Sequence, residues 1–177
     1  MRSFSMEIQL KSGQAAEDQI VAEHPDEITK DNIDGRAGDC ILLATQEKLE
    51  IKKENYKYAK AFKGGPDFES PNAAIEKVSV IESGVLGGPW KAKKDGCRYY
   101  IHYWPRNNGM AFVFDLDTMI PELEEYIKTR KPKEFQTESK NKNGTLWHTM
   151  GYRIPAEHLS KFKSLRNVSY KDKKLFP

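Results

Sequence analysis

The chain predicts an α+β (mixed α/β) domain in which a central mixed β-sheet is flanked by helices, and three observations carry that expectation. Its 177 residues suit one domain with a substantial core and are short for two. Apolar runs with period-two alternation fall in neighbouring pairs bounded by Gly, Pro, Asn and Asp. Segments with helical spacing lie before, between and after these runs, giving the order α, β-β, β, β-β, α, β, α, in which helices flank groups of strands.

Taken in order, Ala16, Ile20 and Val21 recur at helical spacing behind Ser12 as an N-cap, which predicts a short amphipathic helix over 13–23 with Glu17 one turn from Ile20 and Val21. PDEITKDNIDGRAG reads as a connector. Strands are expected over 39–45 and 49–52, joined by a tight turn at Gln46, Glu47 and Lys48. The polar stretch 54–72 reads mostly as loop, followed by a loosely alternating strand over 73–81. SGVLGGPW is a glycine-rich connector whose Gly84, Gly87 and Gly88 read as a flexible turn, and KAKKDG a helical turn.

The clearest hairpin pairs 98–104 with 110–116 across Pro105, Arg106, Asn107, Asn108 and Gly109, and Met110, Phe112, Phe114 and Leu116 share one face. Asp117 caps a helix ending near Thr129, with Ile120, Leu123 and Ile127 on one side and Pro121 in the tolerant first turn. A charged loop over 131–144 leads to a strand, GTLWHTMGYRI. Pro155 then opens a last helix carrying Leu159, Phe162 and Leu165 on one face. From about 167 a loose basic tail is expected.

Twenty-nine Lys and Arg against 26 Asp and Glu leave a net charge of +3, which permits a nucleic-acid partner without demanding one. Cys40 and Cys97 lie in or beside strand-like runs, as in a reduced compartment. No leader-like apolar segment opens the chain and no run approaches the roughly 18 apolar residues that span a bilayer, so a cytoplasmic protein without membrane insertion is expected.

Chemistry concentrates in GDCILLATQEKLEIKKE. Along a strand over 49–52 the side-chain period of two sends Glu50 and Lys52 to one face and Leu49 and Ile51 to the other, and the hairpin partner brings Asp39 alongside. Two carboxylates and an ammonium then converge at one end of a sheet. With the carbonyl of Ile51, the carboxylates offer the oxygen donors that Mg²⁺ accepts while keeping several waters. Such an ion lowers the pKa of bound water and neutralises charge on a phosphate, with Lys52 beside the nucleophile. Glu17, from the first helix, is expected to reach the same site.

Asp39, then eleven positions on Glu50-Ile51-Lys52, behind a helix carrying Glu17, resembles the PD-(D/E)xK (restriction-endonuclease-like) nuclease superfamily. The chain is similar in particular to small phage and prophage nuclease-like proteins that read T-G-N-x-x-I-E after a polar stretch; here Asn72, Ile75 and Glu76 are kept and the threonine and glycine are replaced. Ser83-Gly84, then Lys93-Lys94-Asp95, Arg98-Tyr99-Tyr100-Ile101 and Tyr152-Arg153-Ile154-Pro155 extend the likeness over roughly 13–165, while the proline that names the superfamily is missing before Asp39. The resemblance implies a restriction-endonuclease-like core and a Mg²⁺- or Mn²⁺-dependent endonuclease acting on DNA. Asp39, Glu50, Ile51 and Glu17 would bind metal, Lys52 would act with the attacking water, and Glu76 would be an auxiliary ligand. It also implies a homodimer, the form in which many relatives cut both strands, working in the host cytoplasm if phage-encoded.

The same residues have plainer readings. Asp39 after Gly38 is a turn residue, Glu50 and Lys52 a solvated strand face, and Glu17 and Glu76 surface acids. The alternative to an enzyme is then a catalytically inactive nucleic-acid-binding or structural protein of the same fold. His24, His102, His148 and His158 pair with no cysteine at zinc spacing, and the glycines of 84–88 are not followed by the lysine of a phosphate loop. Lys91, Lys93, Lys94 and Arg98, interleaved with Trp90 and Tyr100, form a basic cluster suited to a phosphate backbone or to solvent.

Overall fold

The computed structural model describes residues 3–31, 39–54, 72–105 and 107–177. Its elements are β1 (Ser3–Ser5), α1 (Met6–Glu23), β2 (Ile28–Lys30), β3 (Asp39–Leu42), β4 (Lys48–Lys53), β5 (Asn72–Val80), a 3₁₀ turn (Ile81–Ser83), β6 (Val85–Leu86), α2 (Gly88–Lys94), β7 (Tyr99–Trp104), β8 (Met110–Asp115), α3 (Leu116–Arg130), β9 (Lys133–Lys140), β10 (Leu146–Pro155), α4 (Ala156–Leu159) and β11 (Leu165–Ser169). The class is α+β, with two sheets in place of the single central one expected: β11-β8-β7-β4-β3-β2 and β1-β9-β10-β5-β6. The six-stranded sheet is mixed, since β4 and β7 run parallel while β7-β8 and β3-β4 are antiparallel.

The six-stranded sheet has a core on each face. Ile101, Tyr103, Ala111 and Val113 pack with Cys40, Leu49, Ile51 and Ile20 of α1 on one side. Tyr100, Trp104, Phe112 and Phe114 pack on the other with Ala73, Ile75, Tyr152 and Ile154 of the second sheet and with Leu116, Met119 and Leu123 of α3. β7 and β8 are therefore buried on both faces, which is why their sequences are apolar almost throughout. No helix among the described residues is long and apolar enough to cross a membrane.

Several boundaries differ from the sequence expectation. α1 begins at Met6 and runs through Ser12 and Gly13, because a glycine costs a helix only about 1 kcal/mol relative to alanine, whereas each new helix start is penalised by a factor on the order of 10³. The N-cap of α3 is Asp115, which accepts from Asp117 N at 3.0 Å and Thr118 N at 3.4 Å, and Asp117 sits in the first turn. β9 occupies the expected charged loop, held by β10 on one side and β1 on the other, so its backbone ladder and not its polar side chains makes it a strand. Most of the loop expected over 54–72, and residues 32–38 of the connector, lie outside the described residues.

The C-terminal third is corrected most. The expected helix after Pro155 stops at Leu159 because the Glu122 carboxylate takes Lys163 N at 2.7 Å and Ser164 N at 3.0 Å, turning the chain into β11, which pairs with β8. The tail from about 167 is not loose. Glu27 accepts Leu175 N and Phe176 N at 2.9 Å each, Leu175 is fully buried, and the Phe176 ring meets Tyr99 edge-on at 5.0 Å.

Candidate active site

The register of β3 and β4 sets Asp39 opposite Glu50, Cys40 opposite Leu49 and Ile41 opposite Lys48. Leu42 N bonds Glu47 O at 2.9 Å, so by the alternation of an antiparallel ladder the Asp39–Glu50 rung is a non-hydrogen-bonded one, the kind in which Cα atoms stand about 4.5 Å apart. Asp39 thus holds the register position opposite Glu50, and Glu50 and Lys52 share one face of β4. The same alternation turns the Ile51 carbonyl to the β3 side, past the last rung at Asp39, while Lys48 O goes the other way to Arg98 N.

β7 completes the floor. Its parallel register puts Tyr100 beside Glu50 and His102 beside Lys52, both fully buried. His102 Nε2 lies 2.8 Å from Glu54 Oε1, and Nδ1 faces the Tyr100 hydroxyl at 3.5 Å. A carboxylate at Nε2 assigns the proton to that nitrogen and leaves Nδ1 to accept from the phenol. Glu54 Oε1 also accepts Ala74 N at 2.5 Å, which ties the end of β4 to the edge of β5. Burial first, and then the charges of Glu50, Glu54 and Glu76, hold the Tyr100 hydroxyl well above its ordinary pKa.

Glu76 enters from the other sheet. Its Oε2 is 3.8 Å from Lys52 Nζ, and its Oε1 accepts from Ser79 Oγ. Gly87 and Gly88 close over it: a Cβ on Gly87 would collide with the Glu76 carboxylate, and Gly88, at φ +46°, sits where a Cβ would meet the Glu76 carbonyl. The glycine pair read as a flexible turn is instead close packing that starts α2, with both Gly87 and Pro89 buried.

Glu17, expected to reach the site from the first helix, lies on a helix that packs against the sheet face opposite Glu50 and Lys52. It is 7 % exposed and shares its stripe of α1 with Ile20, which packs on Cys40, Leu49 and Ile51, the opposite side of the sheet from Glu50 and Lys52. Glu17 adds to the field that raises Lys30, after the Asp18 hydrogen bond that dominates it. Cys40 is fully buried core, as its neighbours predict. The basic cluster is largely met by the chain's own acids: Lys91 by Asp95, Lys93 by Asp117, and Arg98 by Asp115 and Asp117, while Trp90 and Tyr100 are buried.

Glu54 and His102 were not picked out by sequence reasoning. Glu54 continues the period-two set Glu50, Lys52 and was legible in principle; His102 had no local signal, since only the parallel β4-β7 pairing brings it beside Lys52. Among the described residues no three His, Cys, Asp or Glu side chains form a cage for an ion. Near the rung, Glu50 and the Ile51 carbonyl offer oxygen donors only. Compared with protein-family models, curated proteins and solved structures, the chain matches none of them.

Proposed function

We propose that the chain is a Mg²⁺- or Mn²⁺-dependent nuclease of the PD-(D/E)xK type, of phage origin, hydrolysing phosphodiester bonds in DNA. The observation that carries this reading is the rung that sets Asp39 opposite Glu50, with Lys52 next on the same face. When bound, the ion supplies a water of lowered pKa and neutralises charge on the phosphate.

Asp39, Glu50 and the Ile51 carbonyl would hold the ion, and the Lys52 ammonium would orient the attacking water and stabilise the developing phosphorane charge. Tyr100 and His102 exclude water beneath. A cytoplasmic setting, the host's for a phage protein, is supported by two buried free thiols, Cys40 and Cys97.

The test is cleavage of supercoiled, linear duplex and single-stranded DNA with and without Mg²⁺. Glu50→Ala and Lys52→Ala should each abolish cleavage while leaving the melting curve close to wild type, since neither side chain belongs to the apolar core. Cleavage that survives both substitutions rejects the assignment. DNA retention that weakens steeply with salt, without any cleavage, would give the alternative of a catalytically inactive binding protein of the same fold.

A further inference from the structure

We infer that Glu76 is a positioning residue that sets the Lys52 ammonium for its role in the reaction. The inference rests on the nuclease reading for what Lys52 does, and on geometry alone for how Lys52 is held. Lys48 and Lys52 flank Glu50 on one face of β4; Lys48 is taken by Asp31, whereas the Lys52 side chain is 41 % exposed, so the strand by itself leaves it several rotamers. Its ion-pair partner does not come from its own sheet. It comes from β5, across the junction of the two sheets, at 3.8 Å.

The structure around that partner is specialised. Gly87 and Gly88 press on the Glu76 carboxylate and carbonyl, and Gly151 of β10, directly opposite Glu76 in register, approaches so closely that a Cβ would collide with the Ile75 carbonyl and crowd Glu76 Cα. Ser79 Oγ takes one carboxylate oxygen, leaving the other directed at Lys52. Glu54 fixes the same stretch of β5 from below by accepting Ala74 N. A surface acid with no task would not require three glycines and a hydroxyl to hold it. The arrangement gives Glu76 a defined position from which the Lys52 ammonium is held beside the Asp39–Glu50 rung.

Glu76→Gln preserves shape, and its amide oxygen keeps the Ser79 bond, so only the charge facing Lys52 is lost. With wild type and variant assayed side by side on a DNA substrate with saturating Mg²⁺, kcat should fall about 10–100-fold, the size expected when a reacting group is misplaced by about 1 Å. KM should stay within about threefold, since ground-state binding is not the target. Glu76→Asp, which restores the charge, should recover part of the loss.

A second readout does not depend on activity. After reductive ¹³C-methylation of the lysines, the Lys52 resonance, assigned by its disappearance in Lys52→Arg, should move in Glu76→Gln and also in Gly87→Ala, which displaces the carboxylate. An active wild type whose Glu76→Gln variant keeps its kcat would overturn the inference and leave the nuclease reading standing. A wild type that cuts nothing removes the nuclease reading, and the inference with it. A Lys52 resonance identical in wild type and Glu76→Gln would overturn the positioning role whichever way the cleavage assay falls.

Discussion

Removing the Glu54 carboxylate should cost more stability than removing any other acid near the rung. One oxygen of Glu54 accepts two hydrogen bonds at once, from Ala74 N at 2.5 Å and from His102 Nε2 at 2.8 Å, and its side chain is 13 % exposed. A hydrogen bond to a charged group contributes about 1.5–3 kcal/mol. Water reaching the β5 edge recovers part of the Ala74 share, but none is expected to reach the fully buried imidazole. Glu54→Ala should therefore cost about 3 kcal/mol, which for a chain of this size is a fall of about 6–12 °C in Tm. Glu54→Gln should cost only about 1 kcal/mol, because its amide oxygen can accept both bonds and loses only the charge assistance. Urea titrations with matched m-values measure both numbers. If Glu54→Ala lies within about 0.5 kcal/mol of wild type, or Glu54→Gln is as damaging as Glu54→Ala, the clamp between the two sheets is wrongly described.

Leu175→Ala should destabilise by about 2–4 kcal/mol, the range for emptying a fully buried leucine site. A tail that is free in solution would show no effect in the same denaturation assay. Asp115 is 1 % exposed, caps α3 and receives Arg98 at 2.5 Å and Arg166 at 3.1 Å, so Asp115→Ala should cost about 1–3 kcal/mol, mainly the lost cap, since Arg98 keeps Asp117 and both guanidinium groups reach solvent; a cost near zero in thermal melts would contradict the network. His148 is raised above the ordinary imidazole range, first by its hydrogen bond to Glu82, and Glu82 is lowered in return. The stabilisation from this pair is present between the two groups' ordinary values, and is lost as pH rises through the raised His148 or falls through the lowered Glu82. An NMR titration of the His148 ring should show the elevated midpoint and its return toward normal in Glu82→Gln; equal midpoints would contradict the contact.

Local sequence determined those elements whose reasons are local. The 99–104 and 110–115 hairpin was legible because aromatic and β-branched residues flank a turn rich in Asn and Gly, and α3 because its apolar spacing and Asp residues announce a start. The rung that sets Asp39 opposite Glu50 and the common face of Glu50 and Lys52 were equally legible, since a strand has a period of two and a hairpin pairs neighbours. Glu17 shows the limit: the helix was visible but its choice of sheet face was not, because Ile20 is buried on whichever side offers Cys40, Leu49 and Ile51. The second sheet, the strand in 133–140, the anchored tail and the approach of Glu76 to Lys52 were decided only by tertiary structure. Each depends on backbone or carboxylate groups meeting partners many positions away, and such pairings leave no period in the sequence that could have announced them.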